Sequence, residues 1–332
     1  MSGPIKVKIL DQGSFGANSG EILLDAALAR HVDLPHDCRA GGCGACRVRL
    51  VEGEVEGGWS GEQGYVLACQ SKITSDIAIA VERVPAVETM AAHVSALVFR
   101  GEDVVEATIV PTRPFAYMPG QYVRLRFQGL PERAFSPTVP LEGPAERESL
   151  RFHIRQVPGG RVSGALGKAI RPGHKLRLTG PFGAAWLRPG KTERLVLVSS
   201  GTGFAPIWAI AHAALAEAPD REIVMIAGSR ARESIYMGES LLRVIAFPGV
   251  QALPVVSKGP AEGPFAVGSP LAFLPPLSNR DLVYVCGAPG LVGAVKDLAR
   301  EQGAACFADA FEPARPEAPA GFLRRVRRLL PL

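Results

Sequence analysis

The chain has 332 residues, of which 47% are hydrophobic, and it carries a formal net charge of +5. This length predicts two domains, with three possible, and enough apolar residues for several packed cores. Residues 313–332 hold five arginines and one glutamate, a net +4, so the rest of the chain lacks the broad basic face of a nucleic-acid-binding protein. Because no apolar run is long enough to cross a membrane and no secretion signal is visible, we expect a cytoplasmic protein with reduced cysteines.

Residues 5–84 predict a small domain of strands around one helix. IKVKIL alternates like a strand, ILLDAALARH has a helical pattern, and further strands follow in RVRLVEGEV, YVLACQS and DIAIAVERV. This composition, with a cysteine-rich loop, indicates a β-grasp arrangement. We place the domain at residues 3–84 and a linker at VPAVETMAA, residues 84–92.

The loop HDCRAGGCGAC at 36–46 has three cysteines spaced C-x4-C-x2-C, and a fourth follows in LACQ. This is the spacing of plant-type [2Fe–2S] ligands. Loop glycines let the backbone come close to the sulfurs, and Arg39 and Arg47 place positive charge beside them. A zinc site would more often show paired CxxC motifs, and a disulfide framework would need an exporting context. The predicted cluster ligands are Cys38, Cys43, Cys46 and Cys69.

Strand patterns dominate from residue 93 to about 190. They occur in HVSALVFR, VVEATIV, QYVRLRF, LRFHIRQV and KLRLTGP, separated by turn sequences such as MPGQ, VPGG and RPGH. VSGALGKAI is the one segment with a helical pattern. We therefore predict an antiparallel β-barrel over residues 91–190.

From residue 194 strands and helices alternate. RLVLVSS, EIVMIAGS, VQALPVVS and DLVYVCG have strand patterns, whereas IWAIAHAALAEA, SIYMGESLLRVIA and LVGAVKDLAREQG have helical ones. This alternation predicts a parallel α/β domain over residues 192–312. The whole chain is thus a predicted multidomain α+β and α/β protein.

Two turns of the α/β domain could bind a nucleotide. In SSGTGFAP, Gly201 and Gly203 let the backbone approach a pyrophosphate, and Pro206 suits the first turn of a helix whose N-terminus attracts phosphate. GTGFAP lacks the third glycine of GxGxxG, so this motif alone is weak evidence. VYVCGAPG ends a later strand, where Cys286 would lie near the ligand or be a buried thiol.

Two motifs in the barrel domain also point to a bound ligand. In RAFSPT, Arg133 could contact a phosphate and Phe135 could stack on a flat ring. In GGRVS, Gly160 and Ser163 stand at the start of the predicted helix, which suits a second phosphate contact.

The order of these motifs resembles a known family. The cysteine loop, RxFS, GGxxS, GTGxAP, CGxPG and FADAF follow one another over residues 5–312. The ferredoxin-fused reductases of bacterial multicomponent oxygenases, in the ferredoxin–NADP reductase superfamily, have this order. YVLACQS and FHIRQVPGGRVS are most similar to the reductases of naphthalene-type aromatic-ring dioxygenases. The resemblance implies an NAD(P)H-dependent oxidoreductase with a [2Fe–2S] cluster and FAD.

The resemblance also implies roles for the barrel residues. Arg133 would contact the FAD phosphates, Phe135 would stack on the flavin ring, and Ser136 would lie near the reactive flavin nitrogen. Phe135 stands where tyrosine is usual, so a hydroxyl is missing, and Pro137 also departs from the family. The strand along the flavin and its pyrophosphate clamp would be formed by His153, Ile154, Arg155, Gly160, Val162 and Ser163.

In the α/β domain the resemblance implies a nucleotide pyrophosphate at Thr202 and Gly203 and a nicotinamide beside Cys286. Phe311 matches the C-terminal aromatic residue near the flavin face. Ser136, Cys286 and Phe311 are therefore the predicted catalytic residues. The other predicted nucleotide contacts are Gly201, Pro206, Ser229, Arg230, Gly287 and Pro289.

Nucleotide choice stays open between NADH and NADPH. Arg230 and Arg232 could bind the 2′-phosphate of NADPH, whereas one of them lying over the adenine would suit NADH. The family likeness favours NADH.

The implied function is electron transfer from NAD(P)H through FAD and the cluster to a protein acceptor. The acceptor would be an oxygenase component or an intermediary ferredoxin, above all of an aromatic-ring dioxygenase. A soluble monooxygenase or a deoxysugar-forming dehydratase could take its place, docking around Arg39 and Arg47. Two other classes remain: a redox sensor or carrier without hydride chemistry, and a zinc-bound structural module on a nucleotide-binding protein.

The tail PARPEAPAGFLRRVRRLLPL, residues 313–332, is a separate feature. Its apolar residues from Phe322 to Leu330 fall on one helical face, with arginines mostly elsewhere. This pattern suits contact with an anionic membrane or an acidic partner. The Pro/Ala-rich start favours the alternative, an extension without fixed structure.

Overall fold

The computed structural model describes residues 4–42, 44–82, 84–141, 143, 146–259 and 263–312. Within them three sheets follow one another along the chain, one in each predicted domain. Cys43 and the tail at 313–332 lie outside the described residues, so their predicted roles stay predictions. In the described part of the chain, every helix is too short or too polar to span a membrane.

The N-terminal domain is a six-stranded mixed sheet in the order β2-β1-β6-β3-β5-β4. Its first and last strands in sequence, β1 and β6, run parallel, whereas the other pairs are antiparallel. One short helix packs on β5, as the β-grasp prediction requires. The elements are β1 Ile5–Ile9, β2 Gly13–Ala17, α1 Leu23–Leu28, β3 Arg47–Glu52, β4 Val55–Trp59, β5 Tyr65–Ile73 and β6 Ile77–Val81.

The second domain is a seven-stranded antiparallel sheet in the order β10-β9-β13-β7-β8-β12-β11. The two end strands of this order, β10 and β11, are separated in sequence by Ser136 alone, so the chain itself closes the barrel there. The strands are β7 Glu88–Arg100, β8 Val104–Pro111, β9 Tyr122–Phe127, β10 Glu132–Phe135, β11 Pro137–Thr138, β12 Leu150–Arg155 and β13 Lys175–Phe182.

Two predictions for this region are wrong. The linker does not extend to residue 92, because β7 begins at Glu88 and buries Met90 and Ala92 against the barrel core. VSGALGKAI is not an α-helix: only Ser163–Ala165 form a 3-10 turn. Gly167, with φ +77°, directs the chain out of helical geometry directly afterwards. The predicted phosphate contact therefore has no α-helix N-terminus behind it.

The third domain is a six-stranded parallel sheet in the order β17-β16-β15-β14-β18-β19. The order reverses at β14, which places a ligand crevice between the carboxyl ends of β14 and β18. β19, which contains most of FADAF, is a strand that the sequence patterns did not predict. The elements are β14 Arg194–Ser200, α2 Phe204–Glu217, β15 Ile223–Ser229, α3 Gly238–Val244, β16 Val250–Val256, β17 Ala266–Val267, β18 Asp281–Gly287, α4 Pro289–Glu301 and β19 Ala305–Ala310.

Candidate functional site

The cysteine loop brings Cys38, Cys46 and Cys69 into one region of the N-terminal domain. Backbone N–H groups approach two of the sulfurs: Ala40 N lies 3.4 Å from Cys38 Sγ, and Cys69 N lies 3.5 Å from Cys46 Sγ. Donors of this kind stabilise the charge of thiolate-bound iron–sulfur clusters. These donors suit a cluster, but Cys38, Cys46 and Cys69 do not come close enough to form a group of three metal ligands among the described residues. Cys43, the fourth predicted ligand, lies outside those residues.

The crevice between β14 and β18 is built from backbone packed at close range. A Cβ atom on Gly203 would lie 2.2 Å from the carbonyl oxygen of Cys286, and one on Gly287 would lie 2.4 Å from Ser200 Oγ. Ser200 Oγ in turn accepts a hydrogen bond of 2.9 Å from the N–H of Ala288. The absence of these two side chains is what lets the GTG turn and the CG turn meet.

An unpaired guanidinium nitrogen supports anion binding in this crevice. Arg155 on β12 forms an ion pair of 3.0 Å with Asp103 through Nη1. Its Nη2 is buried and has no partner among the described residues, and it lies 3.8 Å from the position a Cβ would take on Gly201. A buried unpaired donor beside a glycine turn and the start of α2 fits a pyrophosphate group.

Ser136, Cys286 and Asp309 meet where the barrel faces the end of the parallel sheet. Ser136 Oγ donates a hydrogen bond of 3.3 Å to Asp309 Oδ2. Cys286 pairs with Asp309 in the β18–β19 ladder, and its thiol is fully buried. Burial raises the pKa of the Cys286 thiol well above its usual value, and the Asp309 charge raises it further. Cys286 is therefore a neutral thiol, suited to packing against a flat ring.

Asp309 is the site residue that the sequence analysis missed. Burial raises the pKa of its carboxyl to about 7, against a lowering by the Ser136 hydrogen bond. The FADAF motif could have indicated that Asp309 belongs to the site, because an acidic residue between two phenylalanines in a buried segment needs a polar partner. Its position opposite Ser136 depends on β19, which was not predicted.

The RAF and GGRVS motifs lie at the barrel edge with different exposures. Arg133 is partly exposed and donates 2.7 Å to the backbone oxygen of Glu132. Phe135 is half-buried against the barrel core. A Cβ on Gly160 would lie 2.3 Å from Ser163 Oγ, which accepts a hydrogen bond from Val157 N. The motif therefore forms a tight turn whose backbone could face a ligand.

Several predicted contacts could reach a cofactor only through their backbone. The side chains of Ile154 and Val162 belong to the barrel core. β11 pairs with β12 only at Arg151 and Phe152, so this ladder stops short of His153. The His153 side chain contacts Glu106, with Nε2 3.1 Å from Oε2, and this hydrogen bond is the largest effect that lowers the Glu106 pKa, to about 2.

The remaining predicted nucleotide contacts surround the crevice. Thr202 lies in the 3-10 turn before α2, Pro206 in the first turn of α2, and Pro289 at the first position of α4. Ser229 and Arg230 follow β15, and the Arg230 side chain is exposed. Phe311, just after β19, donates its N–H to the oxygen of Gly287 at 2.7 Å. Arg232 is held elsewhere, with its guanidinium 5.0 Å from the Phe265 ring.

Three family models match the chain in the order of its domains. The 2Fe-2S iron-sulfur cluster binding domain matches residues 9–74, the oxidoreductase FAD-binding domain residues 107–186, and the oxidoreductase NAD-binding domain residues 197–297. Together with the sheets, they define an iron–sulfur flavoprotein oxidoreductase that uses a nicotinamide nucleotide.

Known proteins with the same domain order align along almost the whole chain. The reductase component of the naphthalene 1,2-dioxygenase system of Pseudomonas putida is 32% identical, over 90% of this chain and 95% of its own. A CDP-6-deoxy-L-threo-D-glycero-4-hexulose-3-dehydrase reductase of Yersinia pestis is 27% identical, over 94% and 99%. The solved structure of the Amycolatopsis cytochrome P450 reductase GcoB has a TM-score of 0.68 at 28% identity, covering 94% and 100%.

The chain belongs to the ferredoxin-fused reductases of multicomponent oxygenases, in the ferredoxin–NADP reductase superfamily. It is an oxidoreductase whose cofactors are a [2Fe–2S] cluster, FAD and NAD(P)H, and its role is electron transfer. The predicted family, fold class and cofactors are thereby confirmed, and the sensor and zinc-module alternatives lose their support.

Proposed function

We propose that this chain is the reductase of an aromatic-ring dioxygenase system and serves the breakdown of aromatic hydrocarbons. Its direct acceptor is the oxygenase component or an intermediary ferredoxin. The observation that carries the proposal is the 32% identity to the naphthalene dioxygenase reductase over nearly the entire length of both chains. A toluate 1,2-dioxygenase electron transfer component of Pseudomonas putida, also 32% identical, supports the same class of acceptor.

The residues of the crevice would hold the nucleotide and orient it. The GTG turn and Arg155 Nη2 would bind its pyrophosphate, so Arg155 would serve the nucleotide and not the flavin as the resemblance implies. The buried Cys286 thiol would pack beside the nicotinamide. When bound, FAD accepts two electrons together as hydride and releases them singly to an iron–sulfur cluster. The Ser136–Asp309 pair would hold a proton next to the reacting ring, because Asp309 stays neutral up to about pH 7.

The cysteine loop would hold the cluster through Cys38, Cys46, Cys69 and Cys43. Cys38 and Arg39 are both exposed, with Arg39 paired to Asp25, so this side of the loop is open to an acceptor. A cytoplasmic location is part of the proposal, because four of the six cysteines are predicted cluster ligands and a reducing compartment keeps them free for iron.

The proposal is tested by measuring electron transfer to defined acceptor proteins. Purified protein under nitrogen is mixed with NADH or NADPH, and reduction of added acceptor proteins is followed by absorbance. We expect an aromatic-ring dioxygenase or its ferredoxin to be reduced much faster than a xylene-monooxygenase hydroxylase or a hexulose dehydrase. Equal or faster reduction of either comparison protein would contradict the proposed acceptor without affecting the oxidoreductase assignment.

A monooxygenase is the second candidate acceptor. The xylene/toluene monooxygenase component XylA of Pseudomonas putida is 29% identical over 92% of this chain, which is close to the dioxygenase relatives. The same experiment separates the two, because only the acceptor changes between its arms.

A further inference from the structure

Ionic contacts at both ends of the cysteine loop lead to other parts of the chain, directly at Asp37 and through Glu82 at Arg47. Asp37 precedes Cys38, and its carboxylate accepts hydrogen bonds from the hydroxyl of Tyr122 and the guanidinium of Arg124, both on barrel strand β9. The Asp37 side chain is only 6% exposed. The first end of the loop is therefore tied to the barrel by a nearly buried carboxylate.

The second end of the loop begins a longer network. Arg47 follows Cys46 and pairs with Glu62 of its own domain and with Glu82, 2.6 Å from Nη1 to Oε1. Glu82 also accepts from Arg188, 3.3 Å from Nη2 to Oε2. Arg188 lies between β13 and β14 and is fixed there by hydrogen bonds to the backbone oxygens of Ala184 and Trp186. The network thus joins the N-terminal domain to the segment between barrel and α/β sheet.

The network closes on strand β19. The ring of Phe307 lies between the two guanidinium groups, 5.2 Å from Arg47 and 4.3 Å from Arg188. One residue earlier, Cys306 N donates 3.3 Å to the oxygen of Gly61 in the N-terminal domain. Because side chains alternate along a strand, Phe307 and Asp309 share a face of β19. One strand therefore supports both the N-terminal domain and the Ser136 site.

Arg47, Glu62, Glu82, Arg188 and Phe307 together form a junction between the domains. Its chemistry favours one orientation of the domains. Two guanidinium groups and two carboxylates balance in charge, and each requires its partner at a fixed angle. Removing one partner from this largely buried set leaves an uncompensated charge and so favours separation of the domains. An apolar contact of similar area would tolerate sliding, whereas these directional bonds do not.

We propose that Asp37 and Arg47 are positioning residues that hold the cluster loop against the flavin-binding part of the chain. The N-terminal domain then stays docked during turnover and does not swing between sites. The step concerned moves one electron from reduced FAD to the oxidised cluster, and no bond to the protein forms or breaks. This inference rests on the electron path of the proposed function.

The test replaces Arg188, which binds Glu82, and Arg124, which binds Asp37. Both arginines lie outside the N-terminal domain, so the cysteine loop itself is unchanged. Arg188→Met and Arg124→Met are each mixed with NADH under nitrogen, and the flavin and cluster bands are followed separately by stopped flow. We expect flavin reduction within about twofold of wild type and cluster reduction slower by roughly tenfold or more. Arg124→Lys, which keeps the charge, should recover much of the cluster rate.

The matched control is Arg221→Met. Arg221 is as buried as Arg47, at 5% exposure, but it binds backbone oxygens within its own domain. We expect this variant to lose stability without changing the ratio of the cluster rate to the flavin rate. A ratio that falls equally in Arg221→Met would show a general loss of packing and overturn the proposal.

Hydrogen exchange gives a second readout that does not depend on activity. In the wild-type holoenzyme the amides of residues 184–188 and of Cys306 should be protected, and Arg188→Met should expose them. If either arginine variant keeps the wild-type cluster rate, whether or not exchange rises, the positioning role is refuted. If the wild-type flavin is not reduced by NADH or NADPH at all, the proposed function fails instead, so the two failures are distinguishable. Arg124→Met, whose side chain is 37% exposed in wild type, keeps the test available if Arg188→Met folds poorly.

Discussion

The nucleotide crevice is formed by closely packed backbone, whereas the junction under the cluster loop is formed by side chains. The crevice is backbone against backbone, with glycines at 203 and 287 because a Cβ would collide there. The junction is side chain against side chain, with Arg47, Glu82 and Arg188 around Phe307. A backbone-built site restricts residue type at neighbouring positions and so leaves a sequence motif. A side-chain-built site draws single residues from distant parts of the chain and leaves none.

The largest expected effect comes from breaking the crevice with Gly203→Ala. The new methyl group would have to displace the Cys286 carbonyl, a backbone atom 2.2 Å away, so β14 and β18 must separate. We expect kcat/KM for NADH to fall on the order of 100-fold, measured with ferricyanide as a flavin-level acceptor.

Gly293→Ala is the control for that substitution. Gly293 lies inside α4 with open space around its Cβ position. Alanine there should leave kcat/KM unchanged and raise the free energy of unfolding by up to about 1 kcal/mol. Equal losses in the two variants would show that the crevice geometry is not the cause.

Asp309 lies on β19, the strand that contacts both the crevice and the junction. Asp309→Asn should change both the rate of flavin reduction by NADH and the pH dependence of the free energy of unfolding. The folded protein holds a proton on Asp309 up to about pH 7, whereas the unfolded chain has lost it above about pH 4. This carboxyl therefore makes the free energy of unfolding fall as pH rises between those values and contributes no slope above pH 7.

Asp309→Asn should remove that slope in urea titrations between pH 4.5 and pH 8, and the variant should gain stability relative to wild type as pH rises. Flavin reduction by NADH should slow by roughly tenfold, because an amide cannot hold and release the proton that the Asp309 carboxyl would keep next to the reacting ring. An unchanged pH slope would mean that Asp309 is already ionised at low pH.

Sequence patterns located the fold and the crevice far better than they located the junction. The three sheets follow from local periodicity, and the GTG turn, the CG turn and the C-x4-C-x2-C spacing of the first three cysteines each span ten residues or fewer. β10 and β11 were missed because Pro137 and Ser136 interrupt a short strand. β19 was missed because alanine and aspartate dominate it. Without β19, neither the Ser136–Asp309 pair nor the Phe307 contact could be foreseen.

Arg155→Gln tests whether the unpaired guanidinium nitrogen of Arg155 binds the nucleotide. Glutamine keeps polarity at this position but removes the charge and the unpaired Nη2 beside Gly201. One charge-assisted hydrogen bond is worth about 1.5–3 kcal/mol, so KM for NADH should rise by roughly 10- to 100-fold with kcat less affected. Arg177→Gln, an exposed arginine on β13, is the control and should change neither constant.

The smallest effect is expected from Phe307→Leu at the junction. Leucine keeps an apolar side chain between Arg47 and Arg188 but removes the aromatic face. Two cation–π contacts of about 0.5–1 kcal/mol each would be lost, which should appear as a lower urea midpoint. Cluster reduction should slow a few-fold while flavin reduction by NADH stays the same. A slower flavin phase instead would place Phe307 in the crevice.

Anaerobic single-turnover reduction of the wild-type holoenzyme shows whether electrons pass from the flavin to a cluster docked in the same molecule. One equivalent of NADH is mixed with the protein, and flavin and cluster absorbance are recorded at low and at high salt. We expect the flavin to bleach first, the cluster to follow within the same molecule, and the cluster rate to depend on neither protein concentration nor salt. A cluster that stays oxidised while the flavin reduces, or a cluster rate that rises with protein concentration, would contradict this expectation.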